Sequence, residues 1–341
     1  MTQYFIRRFL LVIPTFIGIT ILVFMVTRFV PGGPIERMIA EAQQASAETA
    51  VRTGSGVGAA TLDEDQIKQL EEYYGFDKPV LVSYWQWLKK VVQLDLGLST
   101  RYSDPVWDTI KERLPVSAFY GIMTMLITYL ISIPLGYYKA IKHNSHFDHI
   151  SSVLVFIGYA IPAYVVGIIL LVVFASNLEW FPMGGFYGEE FEDMDSWWEK
   201  TKDIFYHAAL PLTAYVVGSF AVMTFMMKNS LMDNLAADYV RTAIAKGIPF
   251  RQAVRRHALR NSLIPLATHF GNNISFIIAG SFLIEKIFNI DGLGLLGYES
   301  IIERDYPIVL GVLVISSLLQ LFGNILSDVC VAMVDPRVQF K

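Results

Sequence analysis

Three polar constellations in this sequence have side chains that could do chemistry, and each lies in or beside an apolar run. Gln320, Asn324 and Asp328 recur at i, i+4 and i+8 in the last of these runs, a spacing that puts them on one face of a helix. Polar side chains at membrane depth are costly and turn toward a bundle interior or a water-filled path. The row either lines a translocation path or hydrogen-bonds a neighbouring helix, with Asp328 alternatively at the water interface. Asn272 and Asn273, beside Gly271, admit the same two readings. His143, His146 and His149, with Asp148 among them, carry metal-ligating atoms. Their spacing does not hold all three on one face of a helix that repeats about every 3.6 residues, so a solvated loop is expected there rather than a metal site. The chain has no G-x-x-x-x-G-K-[ST] phosphate loop, no H-E-x-x-H pair and no G-x-S-x-G elbow. No catalytic residue is assigned, and the chain is not read as an enzyme. Its single cysteine, Cys330, allows no intrachain disulfide.

A fourth constellation suits docking rather than catalysis. Residues 235–246 hold good helix formers with no breaker until Gly247, a natural stop. Within that short helix Tyr239, Thr242, Ala243 and Lys246 are expected to share a face, where small residues let another surface approach closely. The alternative is an ordinary basic loop attracted to anionic lipid.

The elements that position these groups are apolar spans. Hydrophobic residues make up 54% of the 341 and charged residues only 17%, below the quarter or so usual in soluble domains. Six stretches are long enough for a hydrocarbon core of about 30 Å: 9–30, 115–138, 150–176, 207–228, 263–284 and 306–333. The first follows Arg7 and Arg8 but is too long for a signal peptide's apolar region and lacks a small-x-small cleavage site, so it is read as a retained span. Pro115, Pro211, Pro265 and Pro307 suit first helical turns, and Pro134 and Pro162 should kink the spans that contain them.

Charge sets the orientation. Segment 228–262 carries Lys228, Arg241, Lys246, Arg251, Arg255, Arg256 and Arg260 against Asp233 and Asp238. Segment 177–206 has two lysines against eight acids, and 285–305 is also acidic. The positive-inside rule then puts both termini and the 229–262 loop in the cytoplasm. The fold expected is all-α: a polytopic membrane protein with six transmembrane helices, a short cytoplasmic helix, and a long external loop between the first two spans. Its parts are an N-terminal span (1–30), the external loop (31–114), a core of five spans (115–333) and a cytoplasmic tail (334–341). Within the long loop, 40–60 reads as flexible, and a capping box at Thr61 and Glu64 opens a short helix closed by Gly75. Tyr84-Trp85-Gln86-Trp87-Leu88 suits either a helix at the membrane surface or a small soluble cap packed on the spans.

The loop motif decides the family. Asp238-Tyr239-Val240-Arg241-Thr242-Ala243-Ile244-Ala245-Lys246-Gly247, followed by His257-Ala258-Leu259-Arg260-Asn261-Ser262-Leu263-Ile264-Pro265, resembles the coupling-loop signature of ABC importer permeases of the dipeptide/oligopeptide/nickel class. Arg241-Thr242-Ala243 stands where the broader family has Glu-Ala-Ala. The broader family's final Leu-Pro is displaced to Ile264-Pro265, as in the peptide class. Phe29-Val30-Pro31-Gly32-Gly33-Pro34, Asp95-Leu96-Gly97-Leu98-Ser99, Asp291-Gly292-Leu293-Gly294, Arg304-Asp305-Tyr306-Pro307 and Val334-Asp335-Pro336-Arg337 resemble other segments of that class, in order, along nearly the whole chain. Leu130–Gly136, Ser145–Asp148 and Phe288–Tyr298 resemble the permease of the microcin C/oligopeptide importers of Gram-negative bacteria.

The resemblance implies an inner-membrane subunit that pairs with a second homologous permease. It implies cytoplasmic ATPase subunits that bind ATP and Mg2+, so that this chain binds no cofactor itself, and a periplasmic solute-binding protein. Peptides or peptide-like compounds are the implied substrates, membrane lipid is the remaining partner, and nucleic acid is not one. In the family, the loop forms a coupling helix that seats in a groove of the ATPase; Asp238, Tyr239, Val240, Arg241, Thr242, Ala243, Lys246 and Gly247 take that role here. The rival reading is an ion-gradient-driven secondary transporter or channel using Asp328, and inverted repeats that would favour it are not evident.

Overall fold

The computed structural model describes residues 2–29 and 77–334. The expected flexible 40–60 stretch, the helix opening at Thr61 and the tail beyond Val334 lie outside them. Among the described residues every regular element is helical. In chain order these are α1 (Thr2–Phe29), α2 (Val80–Val92), α3 (Val106–Ile141), α4 (His146–Ala160) and α5 (Ala163–Leu170), which continues as a wide π turn, Leu171–Asn177. Next come α6 (Trp197–Ala236), α7 (Asp238–Ala245) and α8 (Phe250–Ala253), joined by a π turn, Val254–Ala258, to α9 (Leu259–Ser262). The chain closes with α10 (Ile264–Ala279), α11 (Phe282–Ile287), α12 (Leu293–Ile302) and α13 (Tyr306–Val334).

Among the described residues three helices are long and apolar enough to cross a membrane: α3 with 36 residues, α6 with 40 and α13 with 29. The segment His146–Asn177 makes a fourth span if it is one element, bent by 93° at its break. Pro162 causes that break. It has no N–H to donate, and it pushes Ile161 into the extended region, at φ −89° and ψ 124°. The apolar part of α1, Phe9–Met25, and the 16-residue α10 are shorter.

Two proline assignments need correction. Pro115 and Pro211 lie inside α3 and α6, not in their first turns. Both helices begin about two to three turns before the apolar stretch, so hydropathy alone misplaces their starts. Pro265 does sit at the opening of α10, and Pro307 in the first turn of α13. The expected fifth span, 263–284, is interrupted at Gly280, whose φ of +64° ends α10 before α11 starts.

The residues form two compact units. The larger is centred on Arg113–Leu296 and includes the chain from Leu318 onward. One of its apolar clusters joins Ala140 of α3, Met223, Met227 and Leu231 of α6, Val240 and Ala243 of α7, Val254 and Ala258 of the π turn, and Leu266 of α10. Helices α3 and α6 meet closely here: a Cβ on Gly136 would lie 2.6 Å from Met227 Cβ and 2.8 Å from the Thr224 carbonyl. The smaller unit comprises Leu11–Glu112 and Gly297–Ser317. In it α2 packs on α1 through Tyr84 and Leu88, with the Tyr84 and Thr20 hydroxyls 2.9 Å apart, and leaves Leu81 and Trp85 exposed. Asp305, fully buried, accepts hydrogen bonds from the Ser99 hydroxyl at 2.5 Å and the Arg101 N–H at 3.2 Å.

Candidate functional site

The docking constellation forms where α6 ends. The expected single helix over 235–246 is two: α6 runs to Ala236, Ala237 turns extended at ψ 145°, and α7 starts at Asp238. Its far end closes as the sequence anticipates. The Gly247 N–H donates to the Ile244 carbonyl at 2.9 Å and the Ile248 N–H to the Ala243 carbonyl at 3.2 Å. This pair of bonds is the Schellman closure, which needs a left-handed residue at Gly247; its φ is +88°. Pro249 follows and starts α8.

Helix α7 does not present the face expected. Val240 and Ala243 are buried in the cluster shared with α6, and Tyr239 is half-buried. The Tyr239 hydroxyl donates to the Asn234 side-chain carbonyl and accepts from Asn261 Nδ2 at 3.0 Å, which ties α7 to α6 and α9. Asp238, Arg241, Thr242, Ile244, Ala245, Lys246 and Gly247 are exposed. Ala243 therefore faces inward, because its side shares a stripe with Val240, and apolar burial outweighs the appeal of a small outer surface. Arg251, Arg255 and Arg256 are also exposed on the segment that follows. Arg260 is used internally: its Nε donates to the Val334 carbonyl at 2.8 Å, placing a cation at the C-terminal end of α13.

The other candidate residues are more dispersed. Gln320 Nε2 donates to Asn324 Oδ1 at 3.3 Å along α13, and both are half-buried, as is Asp328. Asn273 reaches the Tyr129 hydroxyl of α3 at 3.4 Å, an interhelical bond of the kind weighed against path lining. The side chain of Asn272 lies outside those described. Ser327, one residue from Asp328, donates to the carbonyls of Ala267 and Thr268 on α10 at 3.0 and 2.7 Å.

Two carboxylates hold positions that the sequence does not assign to them. Asp148, among the three histidines, is 2% exposed and meets Lys139 and Lys228. Glu285, counted only as a loop acid, is buried at the start of α11. The Leu295 N–H donates to its Oε2 at 2.6 Å, and Gly280 and Gly292 close around it so tightly that a Cβ on either would overlap the carboxylate. Burial, with Asp291 nearby, pushes its pKa up to about 7. No local pattern marks either residue, since their partners lie on other helices.

Comparison with known proteins bears on the whole chain. A family described as "Binding-protein-dependent transport system inner membrane component" matches residues 132–340, a stretch that contains α7. The chain is 40% identical over 361 residues to the "Peptidoglycan transport system permease protein YejB" of Agrobacterium fabrum, covering 100% of this chain and 99% of that one. It is 39% identical to the "Inner membrane ABC transporter permease protein YejB" of Escherichia coli O157:H7, and 36% identical to the "Oligopeptide transport system permease protein AppB" of Bacillus subtilis. Both chains are covered completely in each case.

Proposed function

From the premise that this chain belongs to the family of binding-protein-dependent transport system inner membrane components, we propose that it carries oligopeptides or peptide-like compounds into the cell, driven by a separate ATPase that docks on α7. Relatives spanning the full chain are named as peptide, dipeptide or peptidoglycan permeases, which supports a peptidic substrate. Microcin C-type compounds fall in the same chemical class and extend the proposal. The chain acts as a multi-pass inner-membrane subunit with six spans and both termini in the cytoplasm. It works beside a second homologous permease and receives substrate from a periplasmic binding protein.

The observation that carries the coupling role is α7 itself. It is a short helix anchored by Val240, Ala243 and Tyr239, closed by a glycine, and flanked by exposed Arg241, Lys246, Arg251, Arg255 and Arg256. Its outer face is free to seat in a partner while its inner face is part of the packed end of α6. In the proposed cycle, ATP binding closes the ATPases and displaces α7, and the spans switch from outward to inward access. The ion-gradient alternative draws on Asp328 and the neighbouring polar face of the last span, and family membership favours the ATP-driven reading.

Gly247→Asp tests it. A Cβ at Gly247 meets nothing within 4 Å, and aspartate tolerates the left-handed region better than most residues, so the subunit is expected to fold. In proteoliposomes holding the complete assembly, the variant should continue to hydrolyse ATP while uptake of radiolabelled trialanine is lost. Substrate-stimulated hydrolysis and uptake both at the unmodified level would refute the docking role.

A further inference from the structure

Three charged side chains converge where the ends of α3, α4 and α6 meet. Asp148 stands in the first turn of α4. Lys228 of α6 places its Nζ 2.7 and 2.8 Å from the two Asp148 oxygens. Lys139, in the last turn of α3 and fully buried, has its Nζ 3.1 Å from Asp148 Oδ1. It also donates to the Asp148 carbonyl at 3.1 Å and to the Ser151 and Ser152 hydroxyls at 2.8 and 2.7 Å. The Asn144 N–H donates to Asp148 Oδ2 at 3.3 Å, and His143 Nδ1 lies 3.3 Å from the same oxygen. One carboxylate thus ties together the consecutive helices α3 and α4 and the distant α6, whose Lys228 lies 80 residues further along the chain.

Such a joint is a costly way to hold helices together. Buried ions lose hydration, and apolar side chains of similar volume often serve stability as well or better. What directional charge pairing adds is a fixed register between the elements it links. The joint also sits beside the mechanical parts of the proposed coupling. Gly136 and Met227, neighbours of Lys139 and Lys228, form the tight α3–α6 contact. Val240 and Ala243 of α7 pack into the cluster with Ala140, Met227 and Leu231. Beyond Asp148, α4 leads into the Pro162 bend and α5.

We propose that Asp148 is a positioning residue for transport: it pins the α4–α5 segment to the α3–α6 pair on which α7 stands, so that displacement of α7 moves all of them as one body. The inference rests on the coupling role of α7 proposed above.

The test uses the complete reconstituted assembly with Asp148→Asn, Asp148→Glu and Lys228→Met, each on a Cys330→Ser background that also carries Ala245→Cys, at an exposed position of α7, for crosslinking. Asp148→Asn should assemble, crosslink to the ATPase and keep its KM for ATP. The ATP hydrolysed per trialanine imported should rise by about tenfold, the scale of coupling energies between distant sites. Asp148→Glu should recover most of the loss, a rescue that a merely space-filling role would not require. Lys228→Met severs only the α6 arm and leaves Lys139 paired, so it gives the same readout should Asp148→Asn fail to assemble. An unchanged ratio in either assembled variant, or a Glu variant no better than Asn, overturns the pin. If the assembly with Asp148 and Lys228 intact yields no crosslink from Ala245→Cys to an ATPase, the coupling reading fails first, and the pin with it.

Discussion

Gly136→Ala adds one methyl group at the place where α3 and α6 come closest. Its Cβ would lie 2.6 Å from Met227 Cβ, 2.8 Å from Met227 Cγ and 2.8 Å from the Thr224 carbonyl oxygen. Carbon contacts settle near about 3.5–4.0 Å, so the helices must part by about 1 Å. Turning the Met227 side chain cannot relieve the clash, because its Cβ and a backbone oxygen are both involved. Overpacking of this kind costs about 1–3 kcal/mol, and alanine in place of a helical glycine recovers about 0.5–1 kcal/mol. The difference is a net loss of about 0–2.5 kcal/mol, centred a little above about 1 kcal/mol, or a fall of a few degrees at roughly 2–4 °C per kcal/mol for domains of about 150–250 residues. Thermal unfolding of the purified subunit can be followed with a dye that reacts with Cys330, the only cysteine. Gly158→Ala is the control, since its Cβ would make ordinary contacts at 3.5 Å to Phe220 and 3.6 Å to Val217. It should leave the midpoint unchanged or raise it. If Gly136→Ala unfolds at the same temperature as Gly158→Ala, the close α3–α6 contact is wrong.

Glu285→Gln should flatten part of the pH dependence of stability. The carboxyl's folded pKa is raised from 4.5 to about 7, so its contribution is fully present below pH 4.5 and is lost as pH rises through about 7; unfolding midpoints at pH 5 and pH 8 should differ less in the variant than in the unmodified chain. Asp305→Ala removes the acceptor for Ser99 and the Arg101 N–H from a buried site, an expected loss of about 2–4 kcal/mol within its unit. Limited proteolysis should then cut residues 97–105 faster than in Asp104→Ala, whose side chain is exposed, and equal rates would count against the buried acceptor.

Much of this architecture is legible in residue order because its causes are local. Pro162 announces the break in the third apolar stretch, and Gly247 announces the end of α7, since both act through their own backbone. Pro115 and Pro211 are misread because α3 and α6 continue past their apolar parts into polar turns, which hydropathy does not see. The stripe of α7 is also hard to assign: with one helical turn of side chains buried, a choice between Ala243 inward and Ala243 outward depends on where α6 sits. Asp148 shows the limit most clearly. In sequence it stands among histidines in what reads as a solvated loop, but it is buried and its partner Lys228 lies 80 residues away. Only the approach of α6 turns a loop acid into a joint between helices.

The uninterrupted 40 residues of α6 amount to a rod of about 60 Å at 1.5 Å per residue, twice the thickness of a hydrocarbon core of about 30 Å. A rod that long works as a lever. Tilting it by about 5° sweeps one end through about 5 Å relative to the other, about the rise of a full helical turn. A small change of angle at one end of α6 thus becomes a displacement of several ångströms at the other, over a length about twice that of the apolar layer.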